Sequence, residues 1–415
     1  MSQGASSERI REAWAEIREN PGRTTLQALA VILGVASVLG GFAISDSMRH
    51  RSMQMYVKGG GLDKLEVQPL PQAKGTQPSA LQSANLGLRQ VDATGGAALD
   101  PEAVAGVSVR RFDQAMVRST FTAQHRQVTG IGGDFIAMAG YSMERGRAFA
   151  LAELESGAPV AILGSEAAHT FFPSGDALGR TLVLGGIPVT VVGTFRVQEF
   201  RFAEGERNIF SWQNRIIALP AVFVQKRLQA EFHGRLDYLT FRVPKPDDLR
   251  HFSLDLAALL RSNHRSQTDF RLDDVAGRMR RFERQGRIYD LIFLLSGFLA
   301  LLGGGIVNVN IQLASLRERV REVGLKMALG ASGREVFLGF MTEAMLLTGL
   351  GAAAGLAVGI GFSWAITRSL EVPLHLHPMS FLWAFLLAAG FGFVFALFPA
   401  WKASRLSPME ALRYE

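Results

Sequence analysis

Four long apolar runs constrain this chain more than any other feature: Leu26 to Ile44, Leu291 to Ile311, Val336 to Ile366 and Phe381 to Phe398. A bilayer's hydrocarbon core is roughly 30 Å thick, and an apolar helix needs about 20 residues to cross it. Each run is long enough, so the sequence predicts four transmembrane helices. The first run is preceded by basic residues and followed by the small-residue spacing Ala43-Ile44-Ser45, as in a signal peptide. Its length exceeds the about 7 to 15 residues of a signal core, which favours a retained span.

The net charge is +7, which in a soluble chain would raise nucleic acid as a partner. The placement of the cations argues against it. Arg9, Arg11, Arg18 and Arg23 precede the first run; Arg317, Arg319, Arg321, Lys326 and Arg334 lie between the second and third; Lys402, Arg405 and Arg413 follow the fourth. The loop between the third and fourth holds only Arg368. Under the positive-inside rule both termini and the 313–335 loop face the cytoplasm, and the segment 46–287 lies outside it. The absence of cysteine excludes disulfides and cysteine-ligated metal sites.

The expected fold class is an α-helical membrane protein with four transmembrane helices and a large α+β extracytoplasmic domain between the first and second. The expected organisation is an interfacial helix (1–25), spans at 26–45, 288–312, 336–367 and 381–399, the extracytoplasmic domain (46–287), a cytoplasmic helix (313–335), an external loop (368–380) and a cytoplasmic tail (400–415). In the extracytoplasmic domain, Leu65-Glu66-Val67-Gln68 alternates as a strand, and Arg180 to Phe195 reads as a hairpin turning on Gly185-Gly186. Ser165 to Phe171 suits a short helix. Residues 72–96, rich in Gln, Ala, Gly and Ser without an aromatic, have little to bury and read as a mobile loop. Arg261 to Arg287 is strongly charged and leads without a breaker into the second span, predicting one helix that enters the membrane as a stalk.

Between the second and third runs, Leu316, Val320, Val323 and Met327 recur at i, i+4, i+7 and i+11, a single helical stripe, with Arg317, Glu318, Arg321 and Glu322 around the rest. A loop that only fixed topology would need cations alone. The ordered stripe predicts an amphipathic helix on which something docks.

The residues here resemble a known family. Asn310, Arg317-Glu318-Arg319, Arg321-Glu322-Val323-Gly324, Met327 to Ala331, and Phe398-Pro399-Ala400 through Ser407-Pro408-Met409-Glu410-Ala411-Leu412-Arg413 resemble the membrane domain of MacB/FtsX-type ABC transporter permeases. Gly146-Arg147, Val160 to Gly164, Phe172-Pro173, Gly175-Asp176, Leu178-Gly179 and Val192-Gly193 resemble the MacB periplasmic core domain. The resemblance implies a permease subunit of a type VII ABC complex in a bacterial inner membrane, paired with a second permease subunit as homodimer or heterodimer. In that picture the loop helix rests on a cytoplasmic ABC ATPase, and Arg317, Glu318, Arg319, Arg321, Glu322 and Lys326 form the docking face. Unlike MacB, the sequence contains no GxxxxGK[ST] and no Gly-Lys pair, so no phosphate-cradling loop is available. The chain is therefore expected to bind no cofactor itself, with ATP and Mg in the partner ATPase.

Three functions fit this architecture: export of a hydrophobic small molecule or peptide with a periplasmic adaptor, release or transfer of a lipoprotein or membrane lipid, and mechanical signalling to a cell-wall enzyme. A membrane sensor without an ATPase is the rival of another class. Polar residues in the spans are few. Asn308 and Asn310 end the second run, and Glu343 in the third is costly enough to be a functional candidate. It can equally pair with Asn310 or an interfacial arginine, and the lack of a second acid favours that structural role. Gly351, Gly355 and Gly359 repeat every fourth residue and predict a helix-packing face. His375 and His377 lack the further fixed ligands a metal site requires.

Overall fold

The computed structural model describes residues 11, 14, 15, 18, 21–70, 87–173, 175–203, 205–229, 234–369, 372–407, 409 and 411. The main helices are α1 (Pro21–Lys58), α2 (Gln90–Leu99), α3 (Pro246–Asn263), α4 (Val275–Glu318), α5 (Val320–Ala328), α6 (Gly333–Ser369) and α7 (Pro378–Ser404). The strands are β1 (Lys64–Pro69), β2 (Gly106–Arg118), β3 (Ala123–Gly133), β4 (Met143–Gly146), β5 (Val160–Leu163), β6 (Thr181–Leu184), β7 (Ile187–Phe195), β8 (Ile217–Pro220), β9 (Tyr238–Arg242) and β10 (Phe270–Asp274). The chain divides into two units, Ser52–Phe282 and the remainder.

The Ser52–Phe282 unit is built on one sheet in the order β10-β1-β9-β2-β3-β8-β5-β7-β4, with β6 pairing β2 and β7. Period-two alternation decides its faces. On β2, Val109, Ala115 and Val117 are buried while Gln114 and Met116 are exposed. On β1, Leu65 and Val67 join Leu239, Phe241, Leu256 and Leu260 in an apolar core between sheet and helices. The expected hairpin forms with Leu184 opposite Ile187. Gly185 and Gly186 both take positive φ, 56° and 90°, as a two-residue turn matched to strand twist requires. Ser165–Phe171 is helical.

In the other unit, α1, α4, α6 and α7 are the four helices long and apolar enough to cross a membrane. All four outrun their apolar segments, because polar residues continue a helix once its hydrogen-bond ladder is established. The cluster of Val35, Val38, Leu39, Ala352, Ala384 and Ala388 ties α1 to α6 and α7.

Several expectations are corrected. Of the loop assigned to 72–96, residues 72–86 lie outside the described residues, but 90–96 belong to α2. Asp92 anchors this helix, accepting from the Arg89 N–H at 2.8 Å and from Asn263 Nδ2 at 2.7 Å; burial of one polar residue leaves no compositional trace. The stalk does not run unbroken from Arg261. Arg265 and Ser266 turn the chain with φ of 53° and 61°, β10 follows, and the helix starts at Val275. Arg278, Arg280 and Arg281 there pair with Glu66, Asp274 and Asp273 respectively. The interfacial helix expected over 1–25 lies mainly outside the described residues; of those described, 11, 14, 15 and 18 are helical, and α1 spans Pro21–Lys58. The 313–335 helix is interrupted at Arg319, with φ −104° and ψ 9°, so Glu318 ends α4 and Val320 starts α5.

Candidate functional site

The loop between α4 and α6 carries the candidate residues. Its apolar stripe does not wait for a partner, because the chain covers it. Leu316 and Val323 are buried with Ala403 of α7, and Met327, Val336, Phe340 and Leu406 pack around them. Gly324 is required by a close approach: a Cβ on it would stand 2.4 Å from the Cβ of Ala411, itself buried, in the tail. The tail residue and Gly324 form a contact that the helical pattern did not disclose, since it joins segments remote in sequence.

With the stripe fastened, the charged side faces outward. Arg317, Glu318, Arg321, Glu322 and Lys326 are exposed, whereas Arg319 is partly buried. Arg319 turns inward: its Nη1 stands 3.5 Å from Glu343 of α6 and its Nε 3.4 Å from Glu322. Glu343 is thereby placed against an interfacial arginine rather than Asn310. Glu318 accepts from Arg23 Nη2 at 2.6 Å, joining the end of α4 to α1. Between the charges stand two exposed leucines, Leu325 at 54% and Leu329 at 82%. These were missed in the sequence, because the stripe at i, i+4 and i+7 drew every apolar residue to one face.

The other site residues separate. Asn308 is buried and accepts from Gln312 Nε2 at 3.3 Å, while Asn310 is exposed. Gly351, Gly355 and Gly359 all face α1, where Cβ atoms on them would lie 3.1 Å from Val31, 2.8 Å from Val35 and 3.2 Å from Ala36. His375 stacks on His50 with ring centroids 4.0 Å apart, and His377 Nδ1 accepts from the Met379 N–H, capping α7. A small pocket among the four helices, lined by residues such as Ala30, Gly305, Asn308, Thr348 and Phe395, holds about 10 Å³, about one water probe.

These features define a four-span membrane protein with an extracytoplasmic α+β domain between its first and second helices. The profile of the MacB-like periplasmic core domain matches residues 24–259, and that of the FtsX-like permease C-terminal domain matches residues 294–408. The chain belongs to this MacB/FtsX-like permease family. It is 30% identical over 417 residues to a macrolide export ATP-binding/permease protein MacB of Rhodospirillum rubrum, covering 98% of this chain and 60% of the relative. A MacB of Chromobacterium violaceum is 26% identical over 413 residues, with 99% and 61% covered. The chain thus spans about three fifths of the length of the curated relatives it matches. The crystal structure of the periplasmic region of MacB from Actinobacillus actinomycetemcomitans aligns at 16% identity with a TM-score of 0.44, over 56% of this chain and 98% of that one.

Proposed function

We propose that this chain is the permease subunit of an ABC export complex in a bacterial cytoplasmic membrane, with its termini and α5 on the cytoplasmic side. ATP and Mg bind outside these 415 residues, in a separate ABC ATPase subunit that rests on α5. Two permease subunits act together, and hydrolysis moves their extracytoplasmic domains to drive a hydrophobic small molecule or peptide outward, with a periplasmic adaptor as the receiving partner.

The observation that carries this reading is the anchoring of α5: its apolar stripe is held by α6 and α7 while Arg317, Arg321, Glu322, Leu325 and Lys326 face outward. Fixed charges around exposed leucines suit a docking platform, with the charges setting register and the apolar groups contributing burial. Spans with few polar side chains and no row of charges to line an aqueous path support a lever rather than a pore within one subunit. Affinity purification from native membranes tests the reading, with charge reversal at Arg317, Arg321 and Lys326. A P-loop ATPase that copurifies and is released by the reversals is the expected result. No ATPase under mild detergent, or retention by the triple variant, overturns it.

A further inference from the structure

The Ser52–Phe282 unit carries a groove that the permease reading does not use. It encloses about 540 Å³ on the sheet face opposite the core of Leu65, Val67 and Phe241, within the range of small-molecule sites. Alternation places it: Glu66 of β1, Tyr238 of β9, and Arg110 and Phe112 of β2 point to this side because their neighbours Leu65, Val67, Leu239 and Val109 point to the other. Arg110 and Tyr238 are direct cross-strand partners. A wall is added by Trp212 and Arg215, from the short helix Ser211–Asn214 and the residue after it.

Two properties indicate what this groove holds. The first is charge. Arg110, Arg126 and Arg215 line it against the single carboxylate of Glu66, and Glu66 is already engaged by Arg278 at 2.9 Å. The Arg110 guanidinium lies over the Tyr238 ring, 4.3 Å from its centroid, and among the described residues no carboxylate stands within ion-pairing distance of it. Burial pushes its pKa below the ordinary arginine range, yet arginine remains charged. A partly buried cation opposed among the described residues only by Glu66, which sits beyond ion-pairing distance of it and is shared with Arg278, is incompletely neutralised, and an anion binding beside it offsets that cost. The second property is the aromatic lining. Phe112 and Tyr238 give flat apolar surface, and Trp212 remains 48% exposed at the wall, unusual for a large aromatic with no partner to cover it.

We propose that this groove is a binding site for a small amphiphilic anion, an aromatic or apolar body bearing one carboxylate or phosphate. The acidic head pairs with Arg110, the body lies between Phe112 and Trp212, and Arg215 at the wall makes the second contact to the head. The site depends on the sheet and the short helix beside it and not on the ATPase reading, so its test needs no nucleotide.

The full chain in lipid nanodiscs is titrated calorimetrically with 2-naphthoate, 2-naphthyl phosphate and the neutral 2-naphthalenemethanol. Both anions are expected to bind at least tenfold tighter than the alcohol, and whichever anion binds more tightly assigns the head group. Trp212→Ala and Arg215→Gln, at exposed positions where folding is not at risk, are expected to weaken anion binding at least fivefold, and Arg110→Met at least tenfold. Arg284→Gln, outside the groove, is expected to bind as the parent does. Equal affinity for anions and alcohol overturns the proposal, as does binding indifferent to Trp212→Ala and Arg215→Gln, or no binding of any probe.

Discussion

Replacing Gly355 by alanine probes the packing of α6 on α1. A Cβ at Gly355 would lie 2.8 Å from Val35 Cβ, 3.0 Å from the Ile32 carbonyl oxygen and 3.1 Å from Ile32 Cα. Two of these three atoms are backbone of α1 and cannot rotate aside, so the helices must move apart. Overpacking of this kind costs about 1–3 kcal/mol. Alanine also favours the helix over glycine by about 1 kcal/mol, which masks part of the effect. Gly361 supplies the reference, because it lies in the same helix and a Cβ there meets nothing within 4 Å. The propensity gain is common to both variants, so the difference between Gly355→Ala and Gly361→Ala isolates the helix contact at about 1–3 kcal/mol. At roughly 2–4 °C per kcal/mol, thermal unfolding in detergent should place Gly355→Ala about 2–12 °C below Gly361→Ala. Equal melting temperatures would refute the claim that these glycines set the approach of α1 and α6.

Stability of the extracytoplasmic unit should depend on pH through His264, which is buried with Nδ1 2.6 Å from Asp269 and Nε2 3.2 Å from Asp92. Burial opposes its charge, but hydrogen bonds to Asp92 and Asp269 outweigh this and hold its pKa above the ordinary 6.5. Burial likewise opposes ionisation of Asp92, but hydrogen bonds from His264, Asn263 and the Arg89 N–H keep it below 3.8. The His264 contribution is therefore complete below 6.5 and lost as pH rises through the raised value, while that of Asp92 is present above 3.8 and lost as pH falls. Denaturant unfolding should show the parent losing stability as pH rises above 6.5, with His264→Gln losing less; parallel losses would exclude His264. For Arg319 and Glu343, removing one partner leaves the other charge less fully compensated at the membrane edge. The double variant Arg319→Met, Glu343→Leu should unfold at a higher temperature than either single variant, and additive losses would show the two to be uncoupled. The Arg23–Glu318 pair, with Glu318 65% exposed in its side chain, should contribute less than about 1 kcal/mol. Glu318→Ala is expected to leave the melting temperature nearly unchanged, so any loss of ATPase recovery in that variant reports docking; a large thermal shift would contradict this.

The spans were legible because length and apolarity determine them without reference to tertiary contacts, and the Gly185-Gly186 hairpin because the turn needs two positive φ values that glycine supplies. The glycine row 351–355–359 was legible for a similar reason: small residues at fixed spacing serve helix approach. What stayed hidden depended on partners remote in the chain. Nothing local around Gln90 to Leu99 shows that Asp92 will be held by Asn263 and His264. The stripe from Leu316 to Met327 suggested an unfilled docking surface, since the sequence does not say that Val336, Ala403 and Leu406 will fill it. The groove at Arg110 was invisible as well, since its floor combines alternate residues of strands that become neighbours only in the sheet.

The internal capture of that stripe strengthens the case for α5 as a transmitting element. A helix tethered only at its ends would move on its own when loaded, and little would reach the membrane. Here one cluster joins Leu316 at the end of α4, Val323 and Met327 of α5, Val336 and Phe340 of α6 and Ala403 of α7. Packed interiors have low compressibility and transmit strain, so displacement of α5 reaches three helices at once. The first helix is reached by a polar route, through Arg23 and Glu318, and Arg319 adds a link from the α4–α5 break to Glu343 in α6. All four spanning helices are thus fastened to a single loop whose outer face stays open. That connectivity is what a subunit driven from outside requires, whereas a loop that only fixed topology would need none of it.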